Sequence, residues 1–388
     1  MYKASTPRDI GSVMTSLVFV PVLLYPPLFF SDNVLPIVRI GLYVLLVLYL
    51  FSRTKRISKN DVFISFILLM LLSSVLLMNY GNSDGLRTAG STMLTLLFAW
   101  GLRRAVNFNG RIRDALVRFY VGLFTLIPLC SVLSLSYFFI LGEWNLFNFD
   151  AGGHGTYIFT PFGTLLAKDF SGIVVIYRSF SYFYEPVYLS AFYAANVFLI
   201  AAHVKKESRF FGVLNALGGL LTFSYSFIAL SLLLYFSKRL RTVSWKSGLF
   251  AFLLAAIVVV LMQVDIFSTS SLSDRTHRIS LFFDAMSNAD MFQLMFGHGF
   301  AQYENISMGF SGGLFTTIYE VGFINLMIII YFAACLINKR SHVLLLFLVT
   351  QLVIEPTKLP IFWVLIVVLS ILLPSKYSAF PKLQERPR

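Results

Sequence analysis

Long apolar runs separated by short basic segments dominate this chain. A helix that crosses a bilayer needs roughly 20 mostly apolar residues, since each residue adds about 1.5 Å of rise and the hydrocarbon is about 30 Å thick. Runs of that character lie near 11–30, 34–52, 62–79, 87–102, 115–140, 186–202, 209–222, 224–237, 246–264, 313–336, 341–354 and 358–373. Of the 388 residues, 57% are apolar and only 13% charged, with a mean hydropathy of +0.78, which leaves little chain for a soluble domain. A cytosolic enzyme, a secreted disulfide scaffold and a disordered tail are excluded on these grounds. The pattern predicts an all-α polytopic membrane protein of about 12 transmembrane helices, one transmembrane domain over residues 1–388. The run from Ile10 to Phe30 has no small-residue cleavage site after it and reads as a retained helix.

Charge orders these runs. A net charge of +13 would point to nucleic acid in a soluble protein, but here it follows the excess of lysine and arginine in cytoplasmic loops. With the N-terminus inside, 23 of the 31 basic residues fall in inside segments, among them Arg53, Lys55, Arg56, Arg103, Arg104, Lys205, Lys206, Lys238 and Arg239. Every expected inside loop is basic, which a wrong span count would have broken. Both termini are therefore expected on the cytoplasmic side. Cys130 and Cys335 sit far apart within apolar runs, with neither disulfide nor metal-site spacing.

Two outer segments are too long for turns, 142–185 and 265–312. The first is rich in glycine and aromatics and ends in RSFSYFYEP, Arg178 to Pro186. Pro186 suits the first turn of a helix, so Glu185 would sit beside its positive end. Two readings are open. Glu185 complements the helix dipole while Arg178 snorkels to lipid phosphate, or Arg178 and the helix start grip a phosphate while Glu185 acts on a hydroxyl. In the second segment Ile279, Phe282, Phe283 and Met286 recur at helical spacing, predicting an amphipathic helix in the membrane interface. Arg275 and Arg278 lie on it three apart, and arginine's rigid fork of donors suits phosphate, although interfacial snorkelling is again the bland alternative. FGHGF, Phe296 to Phe300, then sets His298 between Gly297 and Gly299, which would let backbone approach a ligand closely. Glu320 and Gly322 open the tenth span, with Glu320 read as a buried carboxylate. The chain has no D-x-D, H-E-x-x-H, Walker A or G-x-G-x-x-G pattern, so neither a metal nor a cofactor is expected. His154 and Asp150, four apart, read as structural.

The layout resembles the bacterial O-antigen polymerases of the Wzy type and their relatives, the O-antigen ligases. It is carried by Arg178 in the R…EP segment ahead of the sixth span, and by Arg275 and Arg278 followed by the FGHG turn. The segment IYEVGFINL, Ile318 to Leu326, is similar to that family's E-x-G-x-x-x-L helix start. Ligases of the family place a histidine just upstream, where this chain reads SMGFSGGLF, Ser307 to Phe315; that departure favours polymerase over ligase. The resemblance implies a GT-C-like fold in the bacterial inner membrane and a polymerase of undecaprenyl-pyrophosphate-linked repeat units at its periplasmic face. It further implies that Arg178, Arg275 and Arg278 neutralise the pyrophosphate, with Glu185, then His298 and Glu320, as candidates for the group acting on the acceptor hydroxyl. Tyr182 and Tyr303 would stack on sugar, and Gly297 and Gly299 would support the turn. The expected partners are the lipid-linked glycan and membrane lipid, with room for a chain-length-regulating co-polymerase and none for nucleic acid. A ligase, a flippase or exporter of lipid-linked sugar, and a SEDS-type peptidoglycan polymerase are the competing readings.

Overall fold

The computed structural model describes residues 34–52, 59–141, 147–150, 156–170, 174–181, 186–203, 209–224, 270–300, 313–337 and 360–372, with isolated positions in 227–232 and 343–351. In chain order the helices are α1 (Val34–Ser52), α2 (Lys59–Met78), α3 (Ser83–Phe108) and α4 (Gly110–Leu141). There follow α5 (Pro186–His203), α6 (Arg209–Leu221), α7 (Ser270–Ser287), α8 (Met291–Phe296), α9 (Gly313–Leu336) and α10 (Pro360–Leu372). Helices therefore cover eight of the expected spans, while 11–30 and 246–264 lie outside the described residues. Two described helices, Asp61–Met78 and Gly313–Leu336, are long and apolar enough to cross a membrane.

Apolar residues lie on both sides of this architecture. α10 is apolar all round and its residues from Phe362 to Ser370 are buried, the behaviour of a helix enclosed by others. It packs on α3, α4 and α5, with Trp363 set against Phe332 and Phe347. α2 instead turns Val62, Phe63, Phe66, Leu69, Met70 and Leu77 outward, and α9 does the same with Phe323, Met327 and Tyr331. In water such continuous apolar faces are aggregation sites; against lipid they cost nothing. Polar pairs tie α4, α5 and α6 together inside. Tyr120 donates to Asn196, the Asn196 amide donates to Asn215 at 2.8 Å, and Tyr193 shares a hydrogen with Ser131 at 2.6 Å. Gly218 leaves the space that the Tyr193 ring fills, since a Cβ there would stand 2.8 Å from it.

One expectation is overturned. The chain is mostly helical but not all-α, because the first long outer segment contains a four-stranded antiparallel sheet in the order β1-β2-β3-β4. Its strands are Phe147–Asp150, Thr156–Thr160, Gly163–Phe170 and Val174–Ser181. They are rich in aromatic and β-branched residues, which favour a pleated, half-buried surface. Ile158 and Leu165 pack with Leu135 and Phe138 of α4 and Leu221 of α6, while Tyr157, Phe159 and Leu166 form a second cluster. The β2–β3 turn is tight, with Thr160 Oγ1 donating to the Gly163 carbonyl at 2.8 Å.

Candidate functional site

α9 is broken. Gly322 has φ +74° and ψ 173°, a conformation reserved for glycine, so helix runs from Gly313 to the break and begins again after it. Glu320 thus lies two residues before the interruption rather than at the first turn, and it is buried, as expected of it. A break strands the last carbonyls of the first half, which need donors from elsewhere. They come from the FGHGF turn. The His298 N–H donates to the Tyr319 carbonyl at 2.8 Å and the Gly299 N–H to the Glu320 carbonyl at 3.0 Å.

This approach is possible because glycines face one another. Gly297 has φ +87°, and a Cβ on it would stand 2.3 Å from the Glu320 carbonyl oxygen. A Cβ on Gly322 would stand 2.4 Å from both the Gly297 nitrogen and the Met295 oxygen. α8 delivers the turn from a capping box, with Gln293 N–H on Asp290 Oδ1 at 2.7 Å and Gln293 Oε1 accepting from Asp290 N–H at 3.0 Å.

The His298 ring stacks on Tyr319, centroids 4.1 Å apart and planes 8° from parallel. Its Nδ1 lies 3.3 Å from the Tyr319 carbonyl, an acceptor, so Nδ1 carries the hydrogen and Nε2 the lone pair. Partial burial holds its pKa below the usual imidazole value, opposed by the Tyr319 carbonyl and by the charge of Asp290. The imidazole is neutral at physiological pH, with Nε2 in the form that takes a proton.

The turn is also gripped from α2. Phe300 N–H donates to Asn79 Oδ1 at 2.8 Å, and Asn325 of α9 donates to Ser74 Oγ at 2.8 Å. Asn325 Oδ1 is buried with no donor among the described residues, a place where a hydroxyl-bearing ligand or water would gain a bond. Asn79, Asn82, Ser74, Asn325 and Tyr319 were not singled out from the sequence. Their signal was there: asparagine in or beside apolar runs is costly unless its amide is used.

The structure brings Gly297, His298, Gly299 and Glu320 into one unit. Arg178 stands elsewhere. It lies on β4, which packs on α4, α5 and α6, and its Nε donates to the Thr222 carbonyl at 2.9 Å, capping the end of α6. Arg275 and Arg278 lie on α7 as expected, but their side chains are outside the described residues. α7 is anchored on the start of α9 by Phe282, whose ring is 4.8 Å from that of Phe315, whereas Phe283 is exposed. Glu185, Tyr182, Tyr303 and His154 lie outside the described residues. No cluster of three or more His, Cys, Asp or Glu side chains able to hold a metal occurs among the described residues. No family model matches the chain, and no curated protein or solved structure does so.

Proposed function

We propose that the chain is a Wzy-type O-antigen polymerase of the bacterial inner membrane, GT-C-like, with about 12 spans and both termini cytoplasmic. One observation carries the reading. The two glycine-marked motifs on which the resemblance rests, FGHG and Y-E-x-G, are locked together by paired backbone hydrogen bonds around a helix break. A broken helix is costly in an apolar environment and is kept where it lines a site.

In this mechanism a hydroxyl of one undecaprenyl-pyrophosphate-linked repeat unit attacks the anomeric carbon of the growing chain. His298 Nε2 takes the hydroxyl proton, the new C–O bond forms, and the old anomeric C–O bond breaks with its electron pair passing to undecaprenyl pyrophosphate. Pyrophosphate is already a stable anion and needs charge stabilisation rather than a proton. Arg275 and Arg278 on α7 are the donors assigned to it, with Arg178 in a supporting place because its Nε is committed to Thr222. His298 moves ahead of Glu185 as the base, since its Nδ1 faces the Tyr319 carbonyl and leaves Nε2 with the lone pair that takes a proton. Glu320, buried next to Tyr319 with its carbonyl held by the Gly299 N–H, orients the acceptor.

Deletion in the source bacterium, followed by size separation of surface polysaccharide, tests the reading. Loss of the long-chain ladder down to a single repeat unit, restored by wild type but by neither His298→Ala nor Arg278→Ala at equal membrane expression, is the expected result. Long chains persisting on the carrier lipid would point to a ligase. The helix break also favours one reading of another class, a carrier of lipid-linked sugar, because interrupted helices are common in transporters. Repeat units accumulating on the cytoplasmic side would establish that reading instead.

A further inference from the structure

We propose that Asn79 is a positioning residue for the His298 turn: its carboxamide sets the register of residues 297–300 against the end of α2 and so fixes where the imidazole stands. The inference rests on the polymerase reading only for its catalytic consequence; the positioning itself stands on geometry.

Asn79 is 1% exposed at the end of an apolar helix, a costly place for an amide unless both of its ends are used. They are. Its Nδ2 donates to the Val75 carbonyl at 2.7 Å, one turn back on α2, and its Oδ1 accepts the Phe300 N–H at 2.8 Å. The first bond locks the side chain to its own helix, so the second can hold Phe300 in only one place. Two glycines make room for it. A Cβ on Gly85, in the first turn of α3, would stand 2.2 Å from Asn79 Oδ1, and one on Gly299 would stand 3.0 Å from it. Asn82, three residues on, donates to the Phe300 carbonyl at 3.4 Å, so one short turn reads both sides of the Phe300 residue. Phe300 is two residues beyond His298, and the other side of the turn hangs on the Tyr319 and Glu320 carbonyls. The imidazole is therefore suspended between α9 and α2, and Asn79 is the α2 attachment.

Charge around the turn is sparse. The titratable or charged groups near the turn are Asp290 ahead of α8, Tyr319 and Glu320 on α9, and exposed Tyr80, Asp84 and Arg87 around the start of α3. Lys59 and Asp61 on α2 and Arg103 and Arg104 on α3 lie at the opposite ends of those helices, so a change at Asn79 reaches His298 by moving it or by bringing a new charge.

The test uses the full chain in lipid nanodiscs, with histidine ring labelling followed by NMR and with polymerisation of lipid-linked repeat units. The His298 signal is identified by its loss in His298→Gln. In Asn79→Ala the turn loses its α2 attachment, so the His298 titration moves up towards the ordinary imidazole value. kcat falls roughly 10- to 100-fold, the cost of a misplacement of about 1 Å, with KM little changed. Asn79→Asp behaves conditionally. Burial raises its carboxyl pKa, and the protonated group imitates the amide, with O–H donating to Val75 and C=O accepting from Phe300. Relative to wild type at the same pH, activity is retained at the acid end of the profile and lost as the pH rises and the new carboxylate faces the Val75 carbonyl.

An Asn79→Ala protein with wild-type kcat and an unmoved His298 titration overturns the inference. Should that variant not fold, an Asn79→Asp pH profile superposable on wild type overturns it equally. If Asn79→Ala shifts the His298 titration while even wild type makes no polymer, the positioning holds and the polymerase reading falls.

Discussion

The α2–α3 hairpin is held at both ends by buried polar groups, and the two ends are built in opposite ways. At one end Asp61 accepts from Trp100 Nε1 at 3.1 Å and lies 3.5 Å from Arg104 Nε. The Arg104 guanidinium also lies over the rings of Phe51 and Trp100, at 5.5 and 5.7 Å, and Arg103 donates to Ser370 of α10 at 2.9 Å. Every residue in that cluster sits on a regular helix. At the other end, roughly 27 Å along α2, the bonds run mainly to backbone. There Asn79 reads Phe300, the turn caps the broken α9, and the glycines carry positive φ. Charge joined by side chains on straight helices can anchor packing without touching backbone geometry. Backbone read by asparagine, at glycines no other residue can replace, fixes one loop in one place. On the proposed function the second end carries the site, and the first serves as an anchor.

Substituting the facing glycines breaks that distinction most severely. Gly322→Ala or Gly297→Ala puts a Cβ within 2.4 Å of backbone atoms that have no side-chain freedom to yield. Strain at a glycine-only conformation and overpacking each cost about 1–3 kcal/mol, so a loss of about 2–6 kcal/mol is expected in thermal unfolding of the purified protein, together with loss of product. Gly90→Ala on α3, where a Cβ meets nothing within 4 Å, should instead stabilise by about 0.5–1 kcal/mol. Gly322→Ala behaving like Gly90→Ala would mean that α9 is not broken against the turn.

The anchor end predicts a loss of stability without a change in chemistry. Asp61→Ala leaves the buried Arg104 guanidinium without its carboxylate and Trp100 Nε1 without its acceptor, which in buried pairs costs about 3–5 kcal/mol. Folded Asp61→Ala protein, assayed well below its melting temperature, should keep the wild-type product ladder and the wild-type His298 titration. A shortened ladder at full folding would join the two ends functionally and remove the contrast.

Much of this was legible in the residues and some was not, for physical reasons. Helices such as α1 and α9 announce themselves because an apolar run of their length has few other fates. The glycines flanking His298 marked special backbone, since positive φ leaves that trace in sequence, whereas Gly322 was read as part of a helix start and its break was not foreseen. What sequence could not supply was pairing. Asn79 and Phe300 are 221 residues apart, and nothing in either neighbourhood specifies the other. The sheet was lost differently. Its strands carry β-branched and aromatic residues bounded by Pro161, Gly163 and Gly172, a strand signal, but beside membrane spans aromatics also read as an interfacial belt. Arg178 was legible as a cation near the sixth span, whereas its use as a cap on α6 depends on a strand that was not foreseen.

The smallest expected effect is a pH dependence that separates the two ends. Burial lowers the folded pKa of His298 below its unfolded value of about 6.5, so between those two values the unfolded chain binds more protons than the folded one. Stability therefore rises with pH through that window. The contribution of His298 is complete above pH ~6.5, falls away as the pH drops towards the folded pKa, and changes no further below it. The ring is half-exposed, so the slope is shallow, and Asp290 opposes it by favouring the charged form. Melting temperatures of wild type and His298→Gln, measured in parallel from pH 8 to 5, isolate the term, because every other titrating group appears in both. The wild type should lose stability faster over the acid part of that range. Parallel curves would mean that the imidazole is not partly desolvated by the turn. The same difference measured in an Asp61→Ala background should be unchanged, because the anchor bears on packing and the turn alone bears on the proton.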